Sequence, residues 1–140
     1  MGASTEVVRD LLIVGLNHRT TPVALRERLA FPEAALPAAL GHLKTVPGVH
    51  EAAILSTCNR VEIVACIAGG PVEVGGGIEA FLARERDVER SAFAEHLYLH
   101  QGRDAVRHLF RVAASLDSMV IGEPQILGQM KEHYAEAASA

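Results

Sequence analysis

A cysteine in a short polar link is the residue best suited to chemistry in this sequence. Cys58 lies within Thr57-Cys58-Asn59-Arg60, between two apolar stretches. A thiolate is a strong nucleophile, yet an ordinary thiol with a pKa of ~8.5 is only a few per cent ionised at neutral pH. Arg60, two residues further on, favours the thiolate electrostatically. On residue type alone a free cysteine is more often a small buried apolar group, so both interpretations of Cys58 stay open.

The other metal-binding and redox residue types form weaker patterns. Cys66 lies inside an apolar stretch and is interpreted as a packing residue. Two cysteines make a poor disulfide framework, and without a Cys-x-x-Cys pair they do not indicate zinc. In a reducing compartment we expect both to be free thiols. His96 and His100 are four residues apart but straddle a predicted helix–strand junction, and they lack the His-Glu-x-x-His pattern. We expect no metal site there.

His108 lies on a stretch whose apolar residues recur with helical spacing, 103–116. At the edge of that apolar stripe it could point toward Cys58, but its spacing alone favours a hydrogen-bonded packing residue. Three arginines recur at four-residue intervals on the same predicted helix: Arg103, Arg107 and Arg111. They suit contact with the phosphates of a nucleic acid, but a solvated charged face is the favoured interpretation.

Composition limits the class of protein. The chain has 140 residues, enough for one domain or two small subdomains, and 49% of them are hydrophobic. Its net charge of −4 argues against nucleic-acid binding through the overall field. The longest apolar run, Leu11 to Leu16, is too short to span a bilayer, and no secretory signal opens the chain. We therefore expect a cytoplasmic protein that does not enter a membrane.

The elements that must position these side chains follow an α+β pattern. Four stretches have the composition of strands: 10–17, 50–56, 61–68 and 97–100. Helical stretches lie between them: 23–29, 33–46 with a distortion near Pro37, 78–86 and 91–96. Thr21 is predicted to cap the first helix, with Pro22 at its first position. The segment from Gly69 to Gly77 is predicted to be a loop.

This order predicts a ferredoxin-like βαββαβ fold, an antiparallel sheet with helices on one face. Residues 1–101 are assigned to this sheet subdomain. Residues 102–140 are assigned to the start of a helical subdomain, with helices over 103–116 and 123–138. The second helical stretch ends without a cap or a breaker, so we expect the chain to be part of a longer protein.

Three segments of the sequence resemble the signature blocks of glutamyl-tRNA reductases. The first is GLNHRTTP at 15–22, followed by LRER at 25–28. The second is LSTCNRVE at 55–62, and the third is AVRHLFRVAASLDSMVIGEPQILGQ at 105–129. The blocks occur in the order of the family and cover nearly the whole chain. The sequence is therefore identified as similar to the amino-terminal catalytic domain of that family.

The resemblance implies a two-step reaction on glutamyl-tRNA. A cysteine thiolate attacks the ester that joins glutamate to the 3′ end of its tRNA, which releases the tRNA and leaves a glutamyl thioester. Hydride from NADPH then reduces the thioester to glutamate-1-semialdehyde, a tetrapyrrole precursor. Sulfur suits this chemistry because a thioester accepts hydride more readily than an ester does.

The resemblance also implies roles for individual residues. Cys58 is the nucleophile, and His108 polarises the reacting carbonyl or acts as a general acid. Thr57, Asn59 and Arg60 belong to the substrate-binding turn, where Arg60 suits the glutamate carboxylate. Five further positions match substrate contacts of the family: Ser118, Glu123, Pro124, Gln125 and Gln129. Glu123 suits the α-amino group, and the serine and glutamines suit hydrogen bonds.

NADPH is expected to bind outside this chain. No Gly-x-Gly-x-x-Gly follows a predicted strand, and Gly75-Gly76-Gly77 lacks the required spacing. The resemblance implies a further cofactor-binding domain and a dimerisation domain, so the full-length protein is expected to be a homodimer.

Two alternatives belong to other functional classes. An RNA recognition motif needs aromatic residues on its sheet, but aromatic residues make up only 4% of this chain. A regulatory domain that binds haem or a partner protein remains open, because two cysteines and seven histidines are compatible with haem.

Overall fold

The computed structural model describes residues 10–119, which form a four-stranded sheet with helices on both faces. The strands are β1 (Asp10–Asn17), β2 (Val49–Ser56), β3 (Arg60–Ile67) and β4 (Tyr98–Gln101). Their order across the sheet is β2-β3-β1-β4, and each neighbouring pair is antiparallel. This is the order of a ferredoxin-like βαββαβ sheet, and the predicted α+β fold class is confirmed.

Five helices accompany the sheet: α1 (Val23–Leu29), α2 (Leu36–Leu43), α3 (Pro71–Arg86), α4 (Arg90–Phe93) and α5 (Gly102–Met119). One 3₁₀ turn, Glu33–Ala35, leads into α2, and another, Ala94–His96, follows α4. Among residues 10–119 no helix is long and apolar enough to cross a membrane.

The main core lies between one face of the sheet and the helices α1 to α4. Alternate residues of β1, among them Leu12 and Leu16, point into this core because successive side chains of a strand face opposite sides. Phe81 of α3 and Phe93 of α4 are fully buried against them. Removing a large apolar side chain of this kind from water stabilises the fold by ~1.5–3 kcal/mol.

The opposite face of the sheet is covered by α5. Ile13 of β1 packs against Ala105 and Leu109 of this helix, and Val64 of β3 borders the cluster. The prediction of helices on one face therefore holds for α1 to α4, whereas α5 occupies the other face. The division into subdomains at residues 101 and 102 stays a prediction.

The predicted loop from Gly69 to Gly77 is wrong, because α3 begins at Pro71 and runs through the three glycines. Proline is well tolerated in the first turn of a helix, where its missing N–H has no partner to lose. Two of these glycines, Gly75 and Gly77, allow close packing of α3. A Cβ atom on Gly75 would lie 2.9 Å from a methyl carbon of Leu99, and one on Gly77 would lie 2.8 Å from Val46.

Two smaller predictions about the helices need correction. Thr21 does not cap α1, since its hydroxyl is buried and lies 2.9 Å from the hydroxyl of Thr20, and no side chain caps this helix. The stretch 33–46 is not one helix. Its first residues form the 3₁₀ turn, and α2 carries Pro37 in its first turn and ends at Leu43.

Candidate active site

The turn between β2 and β3 presents Cys58. The N–H of Thr57 donates to the carbonyl oxygen of Arg60 at 2.9 Å, and the N–H of Asn59 donates to the Thr57 hydroxyl at 3.2 Å. These bonds close a tight turn with Cys58 at its tip, and the cysteine is exposed. Exposure excludes the interpretation of Cys58 as a buried packing residue. Cys66 lies within β3 and is partly buried.

Helix α1 holds this turn from the side. Arg26 donates through Nη1 to the carbonyl oxygen of Cys58 at 2.9 Å and through Nε to the carbonyl oxygen of Thr21 at 3.1 Å. Because one guanidinium binds both carbonyls, it ties the cysteine turn to the start of α1. The sequence block LRER contains this arginine, but its type and spacing alone did not indicate the contact.

A buried carboxylate in β3 connects the turn to α5. Glu62 is fully buried and accepts hydrogen bonds from three side chains. Arg60 donates through Nη1 at 3.0 Å, and Tyr98 donates through its hydroxyl at 2.7 Å. Nε2 of His108 lies 2.6 Å from one carboxylate oxygen and 3.0 Å from the other. Glu62 therefore joins two predicted site residues, Arg60 and His108, that are far apart in the sequence.

Room for this carboxylate comes from Gly15, which lies directly opposite Glu62 in the β1–β3 pairing. A Cβ atom at position 15 would lie 2.7 Å from Cγ of Glu62 and 2.7 Å from the carbonyl oxygen of Val61. Real Cβ contacts are not that short, so only glycine fits here. A glycine within an apolar strand commonly marks such a close approach.

The charges around Glu62 settle its protonation state. Burial raises the pKa of the Glu62 carboxyl, but the hydrogen bonds and positive charge of its donors outweigh burial, with His108 contributing most. The net pKa lies below the usual range, so Glu62 is a carboxylate at neutral pH. Burial, and then the negative charge of Glu62, raise the pKa of Tyr98, which therefore stays a protonated donor.

Three rings cluster beside this carboxylate. The rings of His100 and His108 are stacked, with centroids 4.4 Å apart and planes 28° apart. The ring of Tyr98 lies 5.2 Å from each of them in a tilted arrangement. Burial, followed by the positive charge of His108, lowers the pKa of His100. His100 is therefore a neutral ring at neutral pH.

The site residues predicted from the sequence fall into three groups. Thr57, Cys58 and Asn59 share the turn, while Arg60 and His108 meet on Glu62. Within residues 10–119 no hydrogen bond joins His108 to Cys58, so the predicted approach of these two side chains stays a prediction. The third group lies outside the described residues: the side chain of Ser118, and Glu123, Pro124, Gln125 and Gln129.

The other arginines and the other histidine that the sequence singled out lie at the surface or bind backbone. All three arginines of α5 are exposed, and Arg107 lies 3.9 Å from Asp104. His96 donates through Nδ1 to the carbonyl oxygen of Thr20 at 2.7 Å. In the part of the chain that the structure describes, no three His, Cys, Asp or Glu side chains are grouped so as to hold a metal ion.

Sequence reasoning missed Glu62, Tyr98 and the role of Gly15. A signal for the first was present, because a single carboxylate interrupts the apolar stretch VEIVACIA. A charge in a buried strand requires a partner, and burial without one costs several kcal/mol. Tyr98 carried no comparable signal, since its partner is 36 residues away in the sequence.

Comparisons with known proteins identify the family of this chain. A protein-family model described as "Glutamyl-tRNAGlu reductase, N-terminal domain" matches residues 14–140. The glutamyl-tRNA reductase of Solibacter usitatus is 58% identical over 129 residues, which are 91% of this chain and 30% of that protein. The one from Syntrophotalea carbinolica is 48% identical over 131 residues, 94% of this chain and 29% of the relative.

A solved structure has the same fold. The glutamyl-tRNA reductase from Methanopyrus kandleri superposes with a TM-score of 0.53 at 30% identity, covering 92% of this chain and 28% of that one. The chain thus spans about 30% of the length of the relatives it matches. Because the family model covers most of its residues, the chain belongs to the glutamyl-tRNA reductase family and corresponds to the amino-terminal domain of that family.

Proposed function

We propose that this chain performs the acyl-transfer step of a glutamyl-tRNA reductase, with Cys58 as the nucleophile. One observation carries the proposal: the exposed thiol lies two residues before Arg60, and Glu62 connects Arg60 to His108. A nucleophile, a cation for the substrate and a histidine for proton transfer thus belong to one connected unit.

The proposed step exchanges one ester for one thioester. Sγ of Cys58 attacks the carbonyl carbon of the glutamyl ester and forms a carbon–sulfur bond. The bond from that carbon to the 3′ ribose oxygen breaks, and the ribose oxygen takes up the proton that the thiol has lost. The products are a glutamyl thioester on Cys58 and free tRNA, so no reductant is consumed in this step.

Arg60 is proposed to bind the side-chain carboxylate of the glutamyl group. Its guanidinium has five N–H donors, and the bond to Glu62 holds the planar group in place from one side. An arginine oriented in this way loses less conformational freedom when it binds a second carboxylate. Thr57 and Asn59, whose hydroxyl and N–H are joined within the turn, are proposed to border the same pocket.

His108 is proposed to transfer the proton to the leaving ribose oxygen. Since Nε2 donates to the Glu62 carboxylate, Nδ1 is the ring nitrogen that exchanges a proton with the substrate. A carboxylate in this position fixes the tautomer of the imidazole and compensates the positive charge that forms during transfer. Polarisation of the ester carbonyl by the same nitrogen is the alternative role.

Five positions of the third signature block are proposed to complete the substrate pocket: Ser118, Glu123, Pro124, Gln125 and Gln129. The match of the family model to residues 14–140 supports their assignment. Glu123 would bind the cationic α-amino group of the glutamyl moiety, and the hydroxyl and amide side chains would donate or accept hydrogen bonds.

NADPH, the reductant that the family implies, does not fit residues 10–119. A dinucleotide site needs a glycine-rich turn between a strand and a helix. Here Gly75, Gly76 and Gly77 lie within α3, so they form no such turn. Reduction of the thioester to glutamate-1-semialdehyde, and homodimer formation, are proposed for the longer protein of which the relatives are examples.

The test is to mix the chain with glutamyl-tRNA, quench in acid and search by peptide mass spectrometry for a glutamyl adduct. We expect a hydroxylamine-labile adduct on the peptide that contains Cys58. It should be absent from Cys58→Ser and present in Cys66→Ser, the matched control at the second cysteine. A folded chain that forms no adduct and does not accelerate ester hydrolysis would contradict the proposal.

The regulatory alternative has its own readout. If the domain binds haem instead, titration with haem should produce a Soret band in the same preparation. Binding of haem without any adduct on Cys58 would favour that alternative over acyl transfer.

A further inference from the structure

His100 is a side chain that the proposed acyl transfer leaves without a role. It lies on β4 opposite Ile13 of β1, on the face of the sheet that α5 covers. Its ring stacks on that of His108 with centroids 4.4 Å apart, and Tyr98 lies against both rings. The stacked partner is the histidine that binds Glu62.

We propose that His100 is a positioning residue for His108, and that its ring holds the His108 imidazole in the plane from which Nε2 donates to Glu62. A hydrogen bond at Nε2 fixes one point of the ring, but rotation about the terminal side-chain torsion has broad minima. A flat group packed against the face of the ring removes that remaining freedom. Nδ1 is thereby directed along one line instead of sweeping an arc.

The close packing and burial of the rings support this assignment. With planes 28° apart at 4.4 Å, the two imidazoles are in van der Waals contact over their faces, and Tyr98 closes the cluster at 5.2 Å. His108 is buried, with 9% of its surface exposed. A ring that lost its stacked neighbour would gain space on one face only, and that space would let it turn away from Glu62.

Charge explains why a neutral ring suits position 100. The titratable groups that act on His100 come from three elements: Tyr98 on β4, Glu62 on β3, and Asp104, His108 and Arg111 on α5. Of the two negative groups, Glu62 already binds His108 directly. Burial disfavours a proton on His100, and so does like-charge repulsion whenever His108 carries a proton as well.

The expected effect of His100 on the rate of acyl transfer rests on the proposed function. Its expected effect on the orientation of the His108 ring does not. Both can be measured on the 140-residue chain. Three variants separate shape from charge: His100→Phe keeps a flat ring that does not titrate, His100→Leu keeps apolar volume without a flat ring, and His100→Ala removes both. His50→Ala, at an exposed histidine of β2, is the matched control.

The first readout is nitrogen-15 NMR of the His108 ring, assigned by loss of its signals in His108→Gln. We expect the neutral ring to be the Nε2–H tautomer in the wild-type chain, in His100→Phe and in His50→Ala. In His100→Leu and His100→Ala we expect a mixture of tautomers. If all variants retain the Nε2–H tautomer, the positioning role is refuted.

The second readout is the single-turnover rate of thioester formation on Cys58 at saturating glutamyl-tRNA. His100→Leu and His100→Ala should lower this rate by about 10-fold, because small misplacements of a proton-transfer group have effects of up to ~100-fold. The half-saturating concentration of glutamyl-tRNA should stay within about 2-fold, since the ring does not bind substrate. His100→Phe should stay within about 3-fold of the wild-type rate at pH 7.5.

The pH profile adds a signature that a merely structural residue would not produce. In acid, below the ordinary histidine pKa of ~6.5, the wild-type chain should lose rate more steeply than His100→Phe, because only the wild type gains a proton at position 100. Equal rates in all variants, or a His100→Phe variant as slow as His100→Ala, would overturn the proposal. If the wild-type chain forms no thioester at all, the proposed function fails, while the NMR readout still decides the positioning role.

Discussion

Replacement of Glu62 by glutamine tests the centre of the site most directly. The carboxylate is fully buried and accepts bonds from Arg60, Tyr98 and His108, at distances of 2.6 to 3.0 Å. Glutamine keeps the shape, but it replaces one acceptor oxygen by an NH₂ group that must face donors. It also removes the buried counter-charge of Arg60. Only 11% of the Arg60 side chain is exposed, so water compensates its charge poorly.

The magnitude follows from these contacts. Each hydrogen bond to a charged group contributes ~1.5–3 kcal/mol, and removing one partner of a buried ion pair costs ~3–5 kcal/mol. Because the remaining amide oxygen still accepts one or two of the bonds, we expect Glu62→Gln to lower the free energy of unfolding by ~2–4 kcal/mol. For a chain of this length that corresponds to a fall in Tm of roughly 8–16 °C.

The destabilisation by Glu62→Gln should also depend on pH in a defined direction. The pKa of Glu62 is lowered in the folded chain, so its stabilising contribution is present above the pKa of the unfolded chain, ~4.3. It is lost as the pH falls through the lowered folded pKa. The difference in stability between the wild type and Glu62→Gln should therefore be present above pH ~4.3 and shrink in stronger acid.

The assay is urea unfolding followed by circular dichroism, repeated across this pH range. Glu51→Gln is the matched control, because Glu51 lies in the neighbouring strand β2 and is only partly buried. Its effect should stay within ~0.5 kcal/mol. The reasoning would be refuted by a Glu62→Gln chain as stable as the wild type at pH 7, or by a difference that does not shrink in acid.

Three further substitutions test neighbouring contacts. Gly15→Ala should destabilise the fold by ~1–3 kcal/mol in urea unfolding, because the new Cβ would lie 2.7 Å from the facing strand. Gly41→Ala, which meets nothing within 4 Å, should not destabilise it and serves as the control. Arg26→Ala removes the hydrogen bond to the Cys58 carbonyl oxygen. It should slow thioester formation several-fold and lower the free energy of unfolding by ~1 kcal/mol. An unchanged rate would show that the turn needs no support from α1. Tyr98→Phe deletes one hydrogen bond to a buried carboxylate and should lower the free energy of unfolding by ~1.5–3 kcal/mol. A smaller loss, measured by thermal unfolding, would mean that water replaces the hydroxyl.

Strand positions were predictable because their signal is local. The limits of β1 agree with prediction, and those of β2, β3 and β4 agree to within one residue. Alternation and β-branched residues act over a few neighbours, so they can be recognised without knowledge of the fold. The helix α3 was missed at its start for the opposite reason. Its glycines lower helix propensity, and the close packing that they permit against Val46 and Leu99 appears only in three dimensions.

The site was predictable only in part, because some of its contacts join residues that are far apart in the sequence. Cys58 and Arg60 lie in one short segment, so a reactive cysteine could be considered without a fold, and the family resemblance decided in its favour. The spacing of His108 alone favoured a packing residue, and the family resemblance gave it a catalytic role. Its partner Glu62 is 46 residues away. Long-range partners of this kind follow from strand register and from helix placement, and composition carries no information on either.

The buried carboxylate also explains why three distant sequence blocks belong together. Gly15 comes from the first block, Arg60 and Glu62 from the second and His108 from the third, and all four meet at one point of the sheet. Gly15 leaves the space in which the charged side chain of Glu62 lies. The arginine and the histidine are then required by that charge, because a carboxylate buried at this depth is stable only with donors on its oxygens. Acyl transfer, as proposed, uses the free sides of these same two donors, so the groups that stabilise the buried charge also position the substrate carboxylate and the proton.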